Sequence, residues 1–271
     1  MYLCDIHCHT KISPDSTAEL SGLAAAAVSA GLRELCVTDH CDLLDLDGDP
    51  VTTFNWPAAK EQYRAVKGAL GDRLILRLGL ELSSAPYDPD TARAILAEGG
   101  DELDFVLGSL HNWIGAEGNI DLSSTRYSGN PALARRAVDA ALSYTWTLVT
   151  EYPDCYDSLA HIHYPLRYIR RDGIDLSLAD YEDRVRAIFT EIARTDHALE
   201  VNTRRGGDLD FWPRPLRWFR ECGGRLVTVG SDAHRPEDAG TGIPEALALL
   251  SAAGFDHVTT FEGRRPITHR L

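Results

Sequence analysis

The sequence predicts an α/β fold in which a mainly parallel sheet closes into one barrel. Short apolar runs alternate with longer amphipathic segments from end to end, which is the pattern of repeated strand-helix units. A chain of 271 residues with 44% hydrophobic content can bury a large core, and chains of this length often form one α/β barrel. We therefore expect residues 1–271 to form a single domain.

The strands are predicted from short apolar runs bounded by polar or turn-forming residues. Such runs lie at residues 3–7, 34–38, 74–80, 105–109, 158–161, 198–202 and 226–231, with a weaker candidate at 257–261. Helical patterns lie between most of these runs. No internal repeat or low-complexity linker interrupts the alternation.

Helix boundaries and loops are predicted from capping and turn residues. Thr17 is placed to cap an Ala-rich helix that ends at Gly31. Residues 184–193 repeat apolar side chains at helical spacing, which predicts a second helix. Residues 42–56 are rich in Asp, Gly, Pro and Thr, which predicts a loop over one mouth of the barrel.

Charge and cysteine content restrict the class of protein. The formal net charge of -14 makes nucleic acid an unfavourable partner, because polyphosphate binding usually requires a basic face. Bound divalent cations would offset part of this acidity, although ordinary solvated carboxylates also explain it. The six cysteines contain no C-x-x-C pair, and neither a signal peptide nor an apolar membrane span is visible. We expect a cytoplasmic protein with reduced thiols and no membrane contact, and its oligomeric state is left open.

Side chains that can bind a metal follow nearly every predicted strand. They are Asp5, His7 and His9 for the first strand, Asp39 and His40 for the second, Glu81 for the third, His111 for the fourth, His161 and His163 for the fifth, Glu200 and Asn202 for the sixth, and Asp232 and His234 for the seventh. The carboxyl ends of parallel strands meet at one face of a barrel, so these residues predict one shared pocket.

Two short patterns strengthen the case for a metal site. In His7-x-His9 the period of two points both imidazoles the same way, toward one ion. Asp232-x-His234 repeats this geometry and adds a carboxylate, which suits a divalent ion. Taken singly, each residue is more often a surface or core residue than a ligand. Their joint placement at strand ends favours metal binding.

The order of these residues closely resembles the PHP (polymerase and histidinol phosphatase) superfamily over essentially the whole chain. The signatures D-x-H-x-H, T-D-H and S-D-x-H match residues 5–9, 38–40 and 231–234. Glu81 lies in a G-x-E setting and His111 in a G-S-x-H setting between them. The resemblance implies a distorted (β/α)7 TIM-like barrel, the PHP fold.

The resemblance also implies a cluster of about three divalent metal ions, with mixed nitrogen and oxygen ligands that accept zinc, iron or manganese. Glu81 would bridge two of the ions. The remaining ligands would be His7, His9 and Asp232 for the first ion, His111 and His161 for the second, and Asp15, His40 and His234 for the third. Without the resemblance, Asp15 would be interpreted as a turn or N-cap residue.

Within the superfamily, the chain is most similar to the histidinol-phosphate phosphatases, with two departures. His163 stands where those enzymes usually carry Asp, and Asn112 stands where they often carry Phe. The resemblance implies a phosphomonoesterase that hydrolyses a small ester, L-histidinol phosphate, to L-histidinol and phosphate in histidine biosynthesis.

The expected chemistry is in-line attack by a metal-bound hydroxide, with Asp232 acting in catalysis as well as in metal binding. No Walker-type or G-x-S-x-G element is present to supply a covalent nucleophile. Cys8 is an alternative nucleophile, but strand alternation should turn it away from the metals. His163 is a candidate proton donor to the leaving group, and a structural hydrogen bond is an equal alternative.

Phosphate binding calls for an arginine fork. Arg167 and Arg204 follow the fifth and sixth predicted strands and are the candidates, together with Asn202 at the end of the sixth. Arg170 and Arg171 are expected to be solvated in an irregular loop.

Two other functions fit parts of the sequence. A PHP phosphoesterase acting on nucleotides or oligonucleotide ends would share the metal site, but it would favour a basic or aromatic rim, against which the net charge of -14 argues. A non-catalytic metal-binding module would arise if the ligand set had decayed. The set is complete, which favours catalysis.

Overall fold

The computed structural model describes residues 1–115 and 118–271. Its strands are β1 (Cys4–Cys8), β2 (Glu34–Val37), β3 (His40–Asp42), β4 (Ile75–Ser83), β5 (Phe105–Ser109), β6 (Ser158–Leu159), β7 (Ala198–Asn202), β8 (Val227–Gly230), β9 (His257–Glu262) and β10 (Arg265–Arg270). Its helices are α1 (Leu20–Ser29), α2 (Trp56–Leu70), α3 (Pro89–Gly99), α4 (Pro131–Glu151), α5 (Tyr164–Arg171), α6 (Glu182–Arg194), α7 (Pro213–Glu221) and α8 (Ile243–Ala252).

The parallel strands form one sheet in the order β1-β2-β4-β5-β6-β7-β8. The short strand β3 continues β2, because both pair with β4 in the same register: Val37 lies opposite Leu78 and His40 lies opposite Glu81. The two segments therefore act as one interrupted strand. Counted in this way, the sheet has seven strands, each of the first six followed by at least one helix before the next.

The sheet closes where the carboxyl end of β1 meets the residues that follow β8. Cys8 forms a parallel bridge with Ala233, and the His9 amide donates to the Ala233 carbonyl over 2.8 Å. The Asp232 amide likewise donates to the His7 carbonyl over 2.8 Å. These bonds give a nearly closed (β/α)7 barrel, which confirms the predicted fold class.

The core has one layer inside the barrel and another between the barrel and its helices. Strands β1, β5 and β7 are buried at every position, as expected for strands covered on both faces. The α1 helix buries Leu20, Leu23, Ala24 and Ala27, whose spacing makes one apolar stripe. None of the helices formed by residues 1–115 and 118–271 is long and apolar enough to cross a membrane.

Two local predictions are wrong. Thr17 does not cap α1: the N-cap is Glu19, and its side chain makes no capping hydrogen bond. Arg170 and Arg171 lie in the last turn of α5 rather than in an irregular loop. Pro165 lies in the first turn of that helix, where the missing proline N–H costs no intrahelical bond.

The predicted loop over the barrel mouth is present between β3 and α2. Leu44 and Pro50 form one isolated antiparallel bridge within it. The Asn55 side chain then accepts a hydrogen bond from the Ala58 amide over 3.2 Å and caps α2. This loop forms one wall of the cavity at the carboxyl ends of the strands.

The weaker strand candidate, β9, lies outside the barrel. It pairs with β10 in an antiparallel hairpin at the opposite end from the mouth. Phe261 stacks on Phe105 at the start of β5, with ring centroids 4.9 Å apart. The Gly263 amide donates to Oδ1 of Asp104 over 3.0 Å, which ties the hairpin turn to the same end of the barrel.

Candidate metal centre and phosphate pocket

The predicted metal ligands meet at the carboxyl ends of the barrel strands, where a cavity of about 780 Å³ opens. Seven of them line this cavity: Asp15, His40, Glu81, His111, His161, Asp232 and His234. The other two, His7 and His9, are fully buried and lie within 4 Å of Glu81 and Asp232. The fold therefore gathers every residue of the predicted ligand set at one site.

Glu81 lies at the centre of this cluster, near the end of β4. Its Oε1 is 2.8 Å from Nε2 of His161 and 3.2 Å from Nε2 of His111. Its Oε2 is 3.2 Å from Nε2 of His7 and 3.0 Å from Nδ1 of His40. Burial opposes ionisation, but the charge of the surrounding imidazoles holds the pKa of Glu81 well below its usual range. The two oxygens face different sets of ligands, which suits a carboxylate that bridges two ions.

The geometry of the histidines fits bound cations. The Nε2 atoms of His7 and His9 are only 3.0 Å apart, so protons on both would repel each other. Asp232 Oδ1 lies 3.7 Å and 3.4 Å from these two atoms. Nδ1 of His40 is buried and has no well-aligned hydrogen-bond partner. A divalent ion would satisfy the ring nitrogens that protein donors and acceptors leave unsatisfied.

Among the described residues, four overlapping triads place ligand atoms within 4.8 Å of one another. They are His7, His9 and Asp232; His7, Glu81 and His161; His40, Glu81 and His111; and His9, His40 and His234. The first triad coincides with the predicted first group. Asp15 belongs to none of the triads, but its Oδ2 lies 3.0 Å from His234 and 3.6 Å from His40. It is also the most exposed of the predicted ligands, with a side chain 56% accessible.

Two carboxylates orient ligand histidines from behind. Glu200 Oε1 lies 2.5 Å from Nδ1 of His7, and its Oε2 accepts the backbone N–H of His161 over 2.9 Å. Asp42 Oδ1 lies 2.9 Å from Nδ1 of His111. When Nδ1 donates to a carboxylate, the Nε2 lone pair faces the metal. From the sequence we predicted that Glu200 lies at a strand end but assigned it no function. The supporting function of Asp42 was not predicted.

The first acids of two signature motifs support the site rather than lining it. Asp5 accepts hydrogen bonds from the backbone N–H groups of Ser231 and Gly240, each over 2.8 Å. Asp39 accepts from the backbone N–H of Thr10 over 2.6 Å. Both carboxylates are buried and fix loops that carry metal-ligand candidates.

The backbone around β8 is shaped for close approach to β1. Asp232 has φ +60°, an unfavourable left-handed conformation for a residue other than glycine. A Cβ on Gly230 would lie 2.3 Å from Cβ of His7 and 2.9 Å from Oε1 of Glu200. The absence of a side chain at Gly230 therefore lets His7 reach its carboxylate partner.

The two candidate phosphate-binding arginines line the cavity beside Asp232. Arg167 is almost fully buried, and its Nη1 lies 3.4 Å from Oδ2 of Asp232. Arg204 is 37% exposed at the side chain and has φ +45°. Asn202 lies behind this wall, where its amide donates to Asp232 Oδ2 over 3.2 Å. Asn202 is fully buried, so its position suits support of Arg167 and Asp232 better than contact with substrate.

His163 also lies behind the cavity wall. Its Nε2 is 3.1 Å from Oδ2 of Asp208, and its ring packs against Phe211 and Trp212. Burial lowers the pKa of His163 to about 4. Full burial away from the cavity favours the structural alternative over proton donation to a leaving group. No function was predicted for Asp208 from the sequence.

Cys8 points away from the metal cluster, as strand alternation predicts. Its Sγ lies 3.3 Å from the Cys36 carbonyl, on the outer side of β1. Burial raises the pKa of this thiol well above its ordinary value. A thiolate nucleophile at this position is therefore disfavoured.

The PHP domain family matches this chain over residues 5–204. The chain is 25% identical to the histidinol-phosphatase of Lactococcus lactis over 268 residues, covering 96% of this chain and 95% of that protein. It is 27% identical to the "probable histidinol-phosphatase" of Thermotoga maritima over 279 residues, covering 99% and 100%.

A solved structure shares this fold. A crystal structure of histidinol phosphate phosphatase from Lactococcus lactis, complexed with zinc, L-histidinol and phosphate, aligns with a TM-score of 0.83 and 24% identity over 98% of each chain. The match of the family to most of the chain, together with the barrel and its cluster of ligands, leads to one assignment. The chain belongs to the PHP domain family.

Proposed function

We propose that this protein is a metal-dependent phosphoric monoester hydrolase that converts L-histidinol phosphate to L-histidinol and phosphate, a step of histidine biosynthesis. The observation that carries the proposal is the complete ligand cluster beneath a cavity whose wall holds Arg167 and Arg204. Full-length relatives named for this activity support the choice of substrate.

We assign about three divalent ions, zinc, iron or manganese, to the ligand groups around Glu81. When bound, such ions activate water and neutralise charge on a phosphate group. The protein's contribution is to hold imidazoles with Nε2 facing inward, as Glu200 and Asp42 do for His7 and His111. Asp232 has two tasks, because Oδ1 faces His9 and Oδ2 faces Arg167.

Arg167 and Arg204 would bind the phosphate group of the substrate. Their positions beside Asp232 place positive charge next to the metal cluster, where the phosphate oxygens must lie. Burial keeps Arg167 out of water, which strengthens its attraction for a phosphate dianion.

Acidic residues of the remaining cavity lining, which also includes Arg205 and Arg235, favour a small cationic ester over a nucleic acid end. Asp45, Asp47 and Asp121 all line the cavity. Carboxylates attract the ammonium group of histidinol phosphate and repel the additional phosphates of an oligonucleotide. The cavity volume of about 780 Å³ also lies in the range for small-molecule sites.

A substrate panel tests the proposal. Metal-loaded protein is assayed with L-histidinol phosphate, phosphoserine, nucleoside monophosphates and a 5′-phosphorylated oligonucleotide. We expect kcat/KM for L-histidinol phosphate to exceed the others by at least about 100-fold, because the acidic lining recognises its ammonium group. Asp232→Ala serves as the inactive reference. A preference for nucleotides, or no hydrolysis of any ester by metal-loaded protein, would overturn the assignment.

A further inference from the structure

Asp208 lies between the two arginines that line the cavity, although it touches none of the metal-ligand candidates. Its Oδ2 accepts a hydrogen bond from Nε of Arg167 over 2.5 Å. Its Oδ1 lies 3.8 Å from Nη1 of Arg204. Asp208 is 3% exposed, so the carboxylate is removed from water and held by these partners. One buried carboxylate therefore connects the two arginines that are candidates for binding phosphate.

His163 completes this arrangement from behind. An ionised carboxylate can only accept hydrogen bonds, so Nε2 of His163 must donate to Asp208 across their 3.1 Å separation. Nδ1 of His163 is buried and has no hydrogen-bond partner among the described residues. The ring is therefore a neutral donor whose orientation is fixed by packing against Phe211 and Trp212.

The Arg167 guanidinium has defined partners on three sides. Nε donates to Asp208, Nη2 donates to Asn202 Oδ1 over 2.8 Å, and Nη1 faces Asp232 Oδ2 at 3.4 Å. An arginine has five N–H groups, and these contacts leave one on each terminal nitrogen for a ligand. A fork with two available donors matches two oxygens of a phosphate group.

We propose that Asp208, supported by His163, is a positioning residue that orients Arg167 and Arg204 to bind the phosphate group of the substrate. This inference rests on the proposed function, because it assumes a phosphate ester in the cavity. The His163–Asp208 pair takes no part in holding the metals. Its loss should therefore weaken phosphate recognition without removing metal.

The test compares ligands with and without a phosphate group in metal-loaded Asp208→Asn. We expect KM for L-histidinol phosphate and the inhibition constant of inorganic phosphate each to rise about 10-fold or more, as for the loss of a buried charge-assisted contact. The inhibition constant of L-histidinol, which lacks phosphate, should stay within about 2-fold of wild type, since the proposal assigns the arginines to the phosphate group alone. Metal content by elemental analysis should be unchanged.

Variants at His163 test the supporting role. His163→Gln keeps an N–H donor and should retain near wild-type constants, whereas His163→Leu removes the donor and should reproduce the phosphate defect of Asp208→Asn. The matched control is Asp210→Asn. Asp210 lies two residues away, is 63% exposed and pairs with Arg170 outside the cavity, so its replacement should leave all constants unchanged.

The outcomes separate this inference from the proposed function. An unchanged phosphate constant in Asp208→Asn, or an equal weakening of phosphate and L-histidinol, would overturn the positioning role. If wild type hydrolyses a different phosphate ester, the proposed substrate fails. Calorimetric titration of Asp208→Asn with inorganic phosphate then decides the positioning role by itself. If metal-loaded wild type does not bind phosphate, both proposals fail.

Discussion

Glu81 occupies the centre of the candidate metal ligands. It is fully buried, and both of its carboxyl oxygens face imidazole nitrogens from different strands. An amide at this position would keep the shape of the side chain but remove the negative charge. The histidines around it would then face one another without the anion that helps to hold cations among them.

We expect Glu81→Gln to lose bound metal and to lower kcat/KM. The loss should exceed the roughly 10- to 100-fold that is typical when a residue that only hydrogen-bonds to a metal ligand is replaced. Elemental analysis and steady-state assays measure the two effects. Glu61→Gln, on the exposed face of α2, is the control and should behave as wild type. Full metal content in the Glu81 variant would contradict the central role of this residue.

Most candidate ligands could be predicted from sequence because they lie at or near strand ends, which share one face of a barrel, whereas Asp15 was predicted only from the family resemblance. Their supporting residues could not. Glu200 contacts a histidine 193 positions away, and Asp208 contacts Arg167 from a turn 41 positions later. No periodicity marks such pairs, so they become visible only when the fold brings them together.

At the scale of elements, Gly230 sets the distance between β8 and β1. A methyl group at this position would lie 2.3 Å from Cβ of His7, where backbone on both sides leaves little freedom to move. The same methyl group would lie 2.9 Å from the Glu200 oxygen that orients His7. Strand packing and ligand orientation are therefore coupled at one residue.

Gly230→Ala should destabilise the protein by about 1–3 kcal/mol through overpacking, and it should also lower metal content because His7 is displaced. Urea unfolding in the presence of chelator measures the first effect without the contribution of bound metal. Gly68→Ala in α2 is a control for which we expect the opposite change in the free energy of unfolding. Its Cβ meets nothing within 4 Å, so it should stabilise the helix by roughly 0.5–1 kcal/mol. Equal stability of the two variants would contradict the packing argument.

The elements that were not predicted from the sequence have polar or ambiguous patterns of residues. Strand β10 has Ile267 as its only aliphatic side chain apart from Pro266, and it lies largely at the surface, so it lacks the apolar signal of a strand. The interruption between β2 and β3 hides a single strand, because Thr38 and Asp39 leave the ladder while the register continues. In α5, Pro165 resembles a helix breaker, yet it lies in the first turn.

On the scale of the whole molecule, the candidate site is far from one of the elements that stabilise the barrel. The cavity lies at the carboxyl ends of the strands, whereas the β9–β10 hairpin packs against the amino end of β5. Phe261 is 4% exposed and stacks on Phe105 of the barrel. Its substitution should change stability without changing the reaction.

We expect Phe261→Ala to lower the free energy of unfolding by about 3–5 kcal/mol, as for other buried phenylalanines. At a temperature where the variant remains folded, kcat/KM per folded molecule should stay within about twofold of wild type, because the cavity is at the far end. Thr268→Ala, at an exposed position of the same hairpin, should change stability by less than about 0.5 kcal/mol. Loss of kcat in folded Phe261→Ala would show that the two ends are coupled.

The closure of the barrel has a consequence for how the candidate site would acquire a metal ion. Asp5 and Ser231 are 226 positions apart, yet they join the first and last barrel strands beside the first ligand group. Bringing such distant segments together is slow and entropically costly, so we expect this group to form late in folding. An ion held by His7, His9 and Asp232 would then cross-link the first strand to the last. Metal uptake would then stabilise the closed barrel, and a nascent chain that lacks Asp232 could not complete this ligand group.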